Sequence, residues 1–244
     1  MNLYRVFPQP PAAFSLTDTD GISEVRSAYS PVGTDSVRTI MVTSPLGETL
    51  DSAGSSTALS LGADRRLLGI VREGSDAVIV GASTLRAEPV PLPRTTPLVV
   101  LTRSGDLRGH QLVSRGAEGE RLVVATPQRN ADRVRDALEG FTVELLDIGD
   151  DISAEALVGN IRSHLGADHL LVEGGRTTWE YLAPLTTELL IATAAPPLNS
   201  RQGIPPWWPV PERPWDMASL FTDDARMLYY RHVIPEGGAP SPAR

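Results

Sequence analysis

The sequence contains neither cysteine nor lysine in its 244 residues. Without cysteine it can form no disulfide, no thiolate metal site and no cysteine nucleophile. Because all 22 basic side chains are arginine, Schiff-base chemistry and the lysine of a P-loop are excluded as well. The 4 histidines form no H-x-x-x-H pair, so the sequence predicts no metal site.

Long apolar runs and an excess of positive charge are also missing. No apolar stretch reaches about 18 residues, and the start MNLYRVFPQP lacks the basic and apolar regions of a signal peptide. We therefore expect a cytoplasmic protein with no membrane segment. A net charge of -8 and a pI near 5.0 argue against a nucleic-acid partner. The expected partner is a small molecule, and local arginines can bind an anionic one.

The two ends of the chain differ in composition from its middle. Residues 1–36 are rich in Pro, Ser, Thr and Asp, which predicts an N-terminal extension with little regular structure. Residues 236–244 predict a disordered tail, which leaves 37–235 as one domain. Within it, the proline-rich stretch 194–215 predicts a surface loop. Its tryptophans Trp207, Trp208 and Trp215 either line a pocket or subunit contact, or pin the loop by packing.

Short apolar runs alternate with helical patterns along this domain. Strands are predicted at Val37–Thr43, Ala77–Gly81, Leu98–Leu101, Leu122–Ala125, Val143–Leu146, His169–Glu173 and Leu189–Ala194, and helices at Ala63–Glu73, Ala131–Glu139, Ala154–Leu165 and Thr177–Leu185. Runs such as AVIVG need burial on both faces, so the pattern predicts an α/β fold around a largely parallel sheet. The last segment, Arg226–Ile234, follows without an intervening helix and predicts an antiparallel return along the sheet edge.

Leu170–Thr178, read LLVEGGRTT, combines a buried strand, two glycines and a helix start. Unpaired amides at a helix start bind phosphate, and glycine lets the phosphate approach the backbone. The motif alone is equally consistent with a tight turn that binds nothing. Val80–Pro89, read VGASTLRAEP, repeats the pattern, and ligands gather where the carboxyl ends of neighbouring strands meet. We therefore expect both turns to hold one dinucleotide, although neither is the G-x-G-x-x-G pattern of a Rossmann domain.

A set of motifs stands in a recognisable order. They are MVTSPLG at 41–47, IVREGSDAVIVGASTLRAEP at 70–89, LTRS at 101–104, LVEGGRTTWEYL at 171–182, TEL at 187–189 and MLYYRHV at 227–233. This order resembles the reductase domain of bacterial riboflavin biosynthesis, a relative of dihydrofolate reductase. The resemblance implies a three-layer dihydrofolate reductase-like α/β fold, with a mostly parallel central sheet and an antiparallel C-terminal edge. Without cysteine, the zinc motif of the deaminase that often accompanies this domain cannot exist.

The cofactor implied by the resemblance is NADPH. Its implied binding residues are Gly81, Thr84, Glu88, Thr102, Arg103, Ser104, Gly174, Gly175, Arg176, Thr177 and Thr178. The residues themselves support the pyrophosphate site, because backbone amides and an arginine lie at a helix start. At 102–104 one cation and two hydroxyls suit a ribose 2′-phosphate, which favours NADPH over NADH; the alternative is that Arg103 is only an exposed charge.

The substrate side is implied by the resemblance alone. Its residues are Ser56, Arg72, Arg94 and Glu173. Arginine can bind a ribose phosphate bidentately, and the Glu173 carboxylate can accept N–H bonds from an aminopyrimidine. Arg72 and Glu173 can equally form an ion pair at the end of the sheet.

The chain departs from the family pattern at three positions. Leu46 stands where the family has an aspartate, Ser83 replaces the second glycine of V-G-A-G-T, and Arg176 replaces a proline. Asp51 cannot be assumed to replace the missing aspartate, so no catalytic residue is identified.

The function implied is that of an NADPH-dependent reductase. The expected substrate is 5-amino-6-(5-phosphoribosylamino)uracil, or a related pyrimidine or pterin. The alternatives are a relative that binds NADP without catalysis, and a structural or interaction module that uses the tryptophan-bearing loop and binds no dinucleotide. The resemblance and the apolar segment Leu189–Ala194 also lead us to expect a homodimer.

Overall fold

The computed structural model describes residues 1–44, 48, 49, 56, 59–194 and 216–234. The predictions for Leu46, Asp51, the tryptophan-bearing loop and the 236–244 tail lie outside these residues. The strands are β1 Asn2–Phe7, β2 Ala12–Ser15, β3 Ser36–Thr43, β4 Ala77–Gly81, β5 Val90–Pro91, β6 Leu98–Leu101, β7 Leu112–Val113, β8 Leu122–Thr126, β9 Val143–Asp147, β10 His169–Glu173, β11 Glu188–Ala194, β12 Asp216–Asp223 and β13 Met227–Val233. The helices are α1 Thr19–Ala28, α2 Asp64–Glu73, α3 Ala82–Ala87, α4 Ala131–Ala137, α5 Ala154–Leu165 and α6 Arg176–Leu182, with short 3-10 helices at Gln128–Asn130 and Ala183–Leu185.

The N-terminal segment contains regular structure, contrary to the sequence-based expectation. β1 pairs antiparallel with β2 and with β12, and Leu3 is fully buried between them. Asp18 caps α1 by accepting a hydrogen bond from the Gly21 amide at 2.8 Å. The polar composition misled the prediction, because here it marks turns and a helix cap around a few apolar residues that are buried.

The chain forms two compact units. The first comprises Met1–Val32, Arg38–Gly74 and Thr187–Arg244. Its strands lie in the order β2, β1, β12, β13, β11, β3, and all pairs are antiparallel except β11 with β3. The predicted antiparallel return is therefore confirmed for β13. Its place at the edge is wrong, because β12 pairs with its other side.

The second unit comprises Gly33–Val37 and Ser75–Thr186. Its strands are all parallel, in the order β10, β4, β6, β8, β9, with a small separate pair of β5 and β7. Ile79 and Val99 pack in one buried cluster with Ile161 of α5, while their neighbours Val78 and Val100 are equally inaccessible. Parallel strands buried on both faces are what the apolar runs predict, so the α/β class is confirmed.

A buried charge cluster holds part of the first unit together. Glu188 accepts a hydrogen bond from Arg231 at 3.0 Å and lies 3.5 Å from the Arg38 guanidinium. The Arg38 and Glu188 side chains are fully buried and that of Arg231 is 9% exposed. The two guanidinium groups also donate to the Tyr29 and Ser30 carbonyls at the end of α1. The cluster thus joins β3, β11 and β13 to that helix.

Replacing Glu188→Gln is expected to destabilise the protein by about 3–5 kcal/mol, because two buried cations lose their counter-charge. Urea unfolding measures this loss. Glu73→Gln is the matched control, since its pair with Arg26 is half exposed and exposed pairs contribute about 0–1 kcal/mol. Equal losses in both variants would contradict the role given to the buried cluster.

Candidate functional site

The candidate site lies in the second unit, where three turns follow neighbouring parallel strands. In the strand register Val172 pairs with Ile79, and Gly81 pairs with Leu101. The turns at Gly174, Gly81 and Thr102 therefore leave the same edge of the sheet at nearly the same height. This is the edge at which open α/β sheets bind ligands.

Glycine is required where two of these turns approach each other. Gly174 and Gly175 have φ of +67° and +76°, a conformation that other residues rarely adopt. A Cβ at Gly175 would lie 3.1 Å from the Thr84 hydroxyl oxygen. A Cβ at Gly81 would collide with the Thr178 hydroxyl oxygen. Thr84 and Gly175 are thus in direct proximity, as the hypothesis of a shared turn site requires.

Three hydroxyl groups converge on this point. If a Cβ were added to Gly175, the hydroxyl oxygens of Ser83, Thr84 and Thr178 would lie 3.6, 3.1 and 3.5 Å from it. In the part of the chain that the structure describes, none of the three has a side-chain hydrogen bond, although Thr178 is only 8% exposed. We call Gly81, Ser83, Thr84, Gly175 and Thr178 the anion cradle. Its hydroxyls and the amides at the start of α6 can all donate to phosphate oxygens.

The third turn, which we call the β6 loop, comprises residues 102–106. The buried Thr102 hydroxyl accepts a hydrogen bond from the Gly105 amide at 3.1 Å, so it is engaged in forming the turn. Ser104 and Arg103 are exposed. The Arg103 guanidinium lies 5.5 Å from the centre of the Tyr181 ring, a cation–π contact with α6. The loop therefore offers one hydroxyl and one cation close to the helix that begins at the cradle.

Two predicted cofactor residues beside the cradle have other placements. Arg176 is exposed, and its guanidinium donates to the Glu180 carboxylate at 2.6 Å. This hydrogen bond raises the pKa of Arg176 above its usual value. Thr177 is exposed at the start of α6, and half-buried Glu88 directly follows α3. Their cofactor roles stay predictions.

The predicted substrate residues are divided between the two units. Glu173 is buried and ends β10 immediately before the glycine pair. Ser56 and Arg72 are half-buried residues of the first unit. Arg94 is exposed, and its backbone lies against Gly119; both precede their strands, at the opposite edge from the three turns. The position of Arg94 gives no support to a role beside the cradle.

Two further properties hold for the described residues. No helix is both long and apolar enough to span a membrane. No cluster of three or more His, Asp or Glu side chains in that part of the chain could hold a metal ion.

A model of the RibD C-terminal domain family matches residues 38–189, which is more than half of the chain. The chain belongs to this family. Its members are reductases of riboflavin biosynthesis. No curated protein matches the sequence.

Solved structures resemble the chain at low sequence identity. A pyrimidine reductase-like protein from Corynebacterium diphtheriae has a TM-score of 0.64 and 18% identity, over 88% of this chain and 98% of that one. A diaminohydroxyphosphoribosylaminopyrimidine deaminase/5-amino-6-(5-phosphoribosylamino)uracil reductase from Thermotoga maritima gives 0.61 and 20%, over 83% and 57%. The riboflavin biosynthesis reductase Rib7 of Saccharomyces cerevisiae gives 0.57 and 11%, over 88% and 99%. These similarities concern the fold, and the predicted α/β class is confirmed.

Sequence reasoning missed three residues of this edge. Ser83 was noted only as a departure from the family, yet its hydroxyl faces the cradle. Asn130 and Arg133, which follow β8, donate to the carbonyls of Arg103 and Ser104 at 2.8 and 2.9 Å. The information that the sequence lacked was the order of the parallel strands, which decides whose following residues meet at one edge.

Replacing Gly175→Ala is expected to abolish measurable NADPH binding in calorimetry, because the new Cβ would occupy the cradle beside Thr84. Gly140→Ala is the matched control: it also has positive φ, at +90°, but its Cβ would meet nothing within 4 Å. Both variants should lose about 1–2 kcal/mol of stability from backbone strain. Unchanged NADPH affinity in a folded Gly175→Ala variant would contradict the assignment of the cradle.

Proposed function

We propose that the chain is an NADPH-dependent reductase whose substrate is 5-amino-6-(5-phosphoribosylamino)uracil or a related pyrimidine or pterin. The observation that carries the proposal is the anion cradle at the shared edge of β4 and β10. It is supported by membership of a family of riboflavin-biosynthesis reductases. The proteins from Thermotoga maritima and Saccharomyces cerevisiae are named as reductases of this type.

The residues of the cradle fit a phosphate-bearing cofactor. Thr178 is nine-tenths buried and its hydroxyl has no hydrogen-bond partner within the described ranges, so the site offers a donor that a phosphate oxygen would satisfy. The space between the turns is one that a single Cβ would fill. In this proposal the cradle binds the pyrophosphate, while Arg103 and Ser104 bind the ribose 2′-phosphate.

NADPH, when bound, supplies the hydride that reduces the substrate. The protein orients both reactants: the cradle fixes the pyrophosphate by short hydroxyls on regular elements, which limits the movement of the attached groups. Glu173, at the end of β10 and next to the cradle, is proposed to accept an N–H bond from the pyrimidine. Arg72 and Ser56 are proposed to bind the ribose phosphate.

The remaining parts of the proposal are a homodimer in the cytoplasm with no nucleic-acid partner. The apolar strand β11 does not supply the argument for the dimer that its sequence suggested, because β3 and β13 pair with both of its sides. Light scattering coupled to gel filtration determines the oligomeric state.

The activity is tested by mixing the protein with NADPH and 5-amino-6-(5-phosphoribosylamino)uracil and following the nicotinamide absorbance. We expect oxidation of NADPH that depends on both protein and substrate, with a panel of pyrimidines and pterins compared for kcat/KM. Calorimetric titration with NADPH is run in parallel.

Three outcomes separate the hypotheses. Turnover on a pyrimidine or pterin supports the reductase. NADPH binding without turnover on any member of the panel favours the alternative, a non-catalytic NADP-binding relative. Absence of NADPH binding rejects both.

A further inference from the structure

The β6 loop is held from outside by the segment that follows β8. β6 and β8 are parallel neighbours, with Leu101 paired to Ala125, so their carboxyl ends lie side by side. From this segment Asn130 donates to the Arg103 carbonyl at 2.8 Å, and Arg133 donates through Nη1 to the Ser104 carbonyl at 2.9 Å. The Arg133 guanidinium is therefore fixed beside Ser104 although the two residues are distant in sequence.

The loop has little freedom to move away from Arg133. Gly105 has φ of +67°, and a Cβ there would lie 2.6 Å from the Asn130 side chain. Thr102 bonds the Gly105 amide, and the Ser104 hydroxyl accepts a bond from the Asp106 amide at 3.2 Å. The Ser104 hydroxyl keeps its own hydrogen to donate. The turn therefore presents a hydroxyl donor on the residue that follows Arg103 and whose carbonyl Arg133 binds.

Both arginines keep their charge available for a ligand. In the ranges that the structure describes, neither Arg103 nor Arg133 has a carboxylate within ion-pair distance, and both are exposed. The acids nearest in sequence are already paired, Asp106 with Arg108 and Asp132 with Arg135. A protein with a net charge of -8 thus has a local site of two uncompensated cations.

The distance between the cradle and the β6 loop suits a single ligand that contacts both. Neighbouring strands lie about 4.8 Å apart, and Gly81 ends β4, the strand next to β6. The β6 loop and the start of the β8 segment therefore lie roughly one to two strand spacings, about 5–10 Å, from the cradle. A ribose that links a pyrophosphate to a further phosphate covers a span of this order.

We propose that Arg133 is a specificity-determining residue that binds the ribose 2′-phosphate of NADPH together with Arg103 and the Ser104 hydroxyl. This inference rests on the proposed function and adds to it the side chain that separates NADPH from NADH. A phosphate monoester carries up to two negative charges and three acceptor oxygens, which two guanidinium groups and a hydroxyl can satisfy together. NADH has only a hydroxyl at this position and gains nothing from the second cation.

The test compares NADPH and NADH affinity in wild type and in Arg133→Gln by calorimetry. Glutamine keeps a donor for the Ser104 carbonyl but removes the charge. We expect the Kd for NADPH to rise by about tenfold or more, and the Kd for NADH to change by less than about twofold. The pair 2′,5′-ADP and 5′-ADP, used as small probes, should show the same split. Arg135→Gln is the control, because Arg135 lies on the same helix and pairs with Asp132.

The possible results distinguish failure of the proposed function from failure of the role given to Arg133. If wild type binds neither dinucleotide, the proposed function fails and this inference with it. If wild type binds NADPH but Arg133→Gln is unchanged, or loses both dinucleotides equally, the inference alone is overturned and Arg133 only supports the loop. A folded Arg133→Gln variant with a selective loss for NADPH, beside an unaffected Arg135→Gln, supports it.

Discussion

The candidate site depends on the close approach of two backbone turns, one after β4 and one after β10. Parallel pairing sets the two turns at the same height, and a Cβ at Gly81 or Gly175 would lie close to a threonine hydroxyl where they meet. Because Gly81 and Gly175 contribute no side chain, the hydroxyls of Thr84 and Thr178 reach the point that a Cβ would otherwise occupy. Donors held on packed elements need little reorganisation when a charged ligand binds, which is the main physical merit of this arrangement.

Arginine has two separable tasks in a protein that has no lysine. Arg38 and Arg231 are buried around Glu188, and their donors are directed to its carboxylate and to helix carbonyls, so their role is to hold strands and a helix together. Arg103 and Arg133 are exposed and lack a carboxylate partner among the described residues. Exposed charges act only over about 8–10 Å at physiological salt. The local pair therefore matters more for an anionic ligand than the net charge of -8 does.

Prediction from the sequence was most accurate where a continuous apolar run indicates a strand that is buried on both faces. β4, β6 and β10 begin and end at the predicted residues, because strands buried on both faces read as continuous apolar runs. β1, β2 and α1 were missed, since their few buried residues are set among prolines and acids that mark turns and a cap. β12 was missed after the proline-rich stretch for the same reason. In the site, the glycines and threonines within the motifs were predictable. Arg133 was not, because its contact with Ser104 exists only once β6 and β8 are known to be neighbours.

One departure from the family pattern, Ser83, is compatible with the steric limits of the cradle. Gly81 and Gly175 are retained, and at both positions a Cβ would meet a threonine hydroxyl. Position 83, where the family has glycine, carries serine and lies at the exposed start of α3, so a side chain fits there. Its hydroxyl is 3.6 Å from the Cβ positions of both Gly81 and Gly175. The substitution therefore adds a donor to the cradle without closing it, and it changes the motif only where the backbone leaves room.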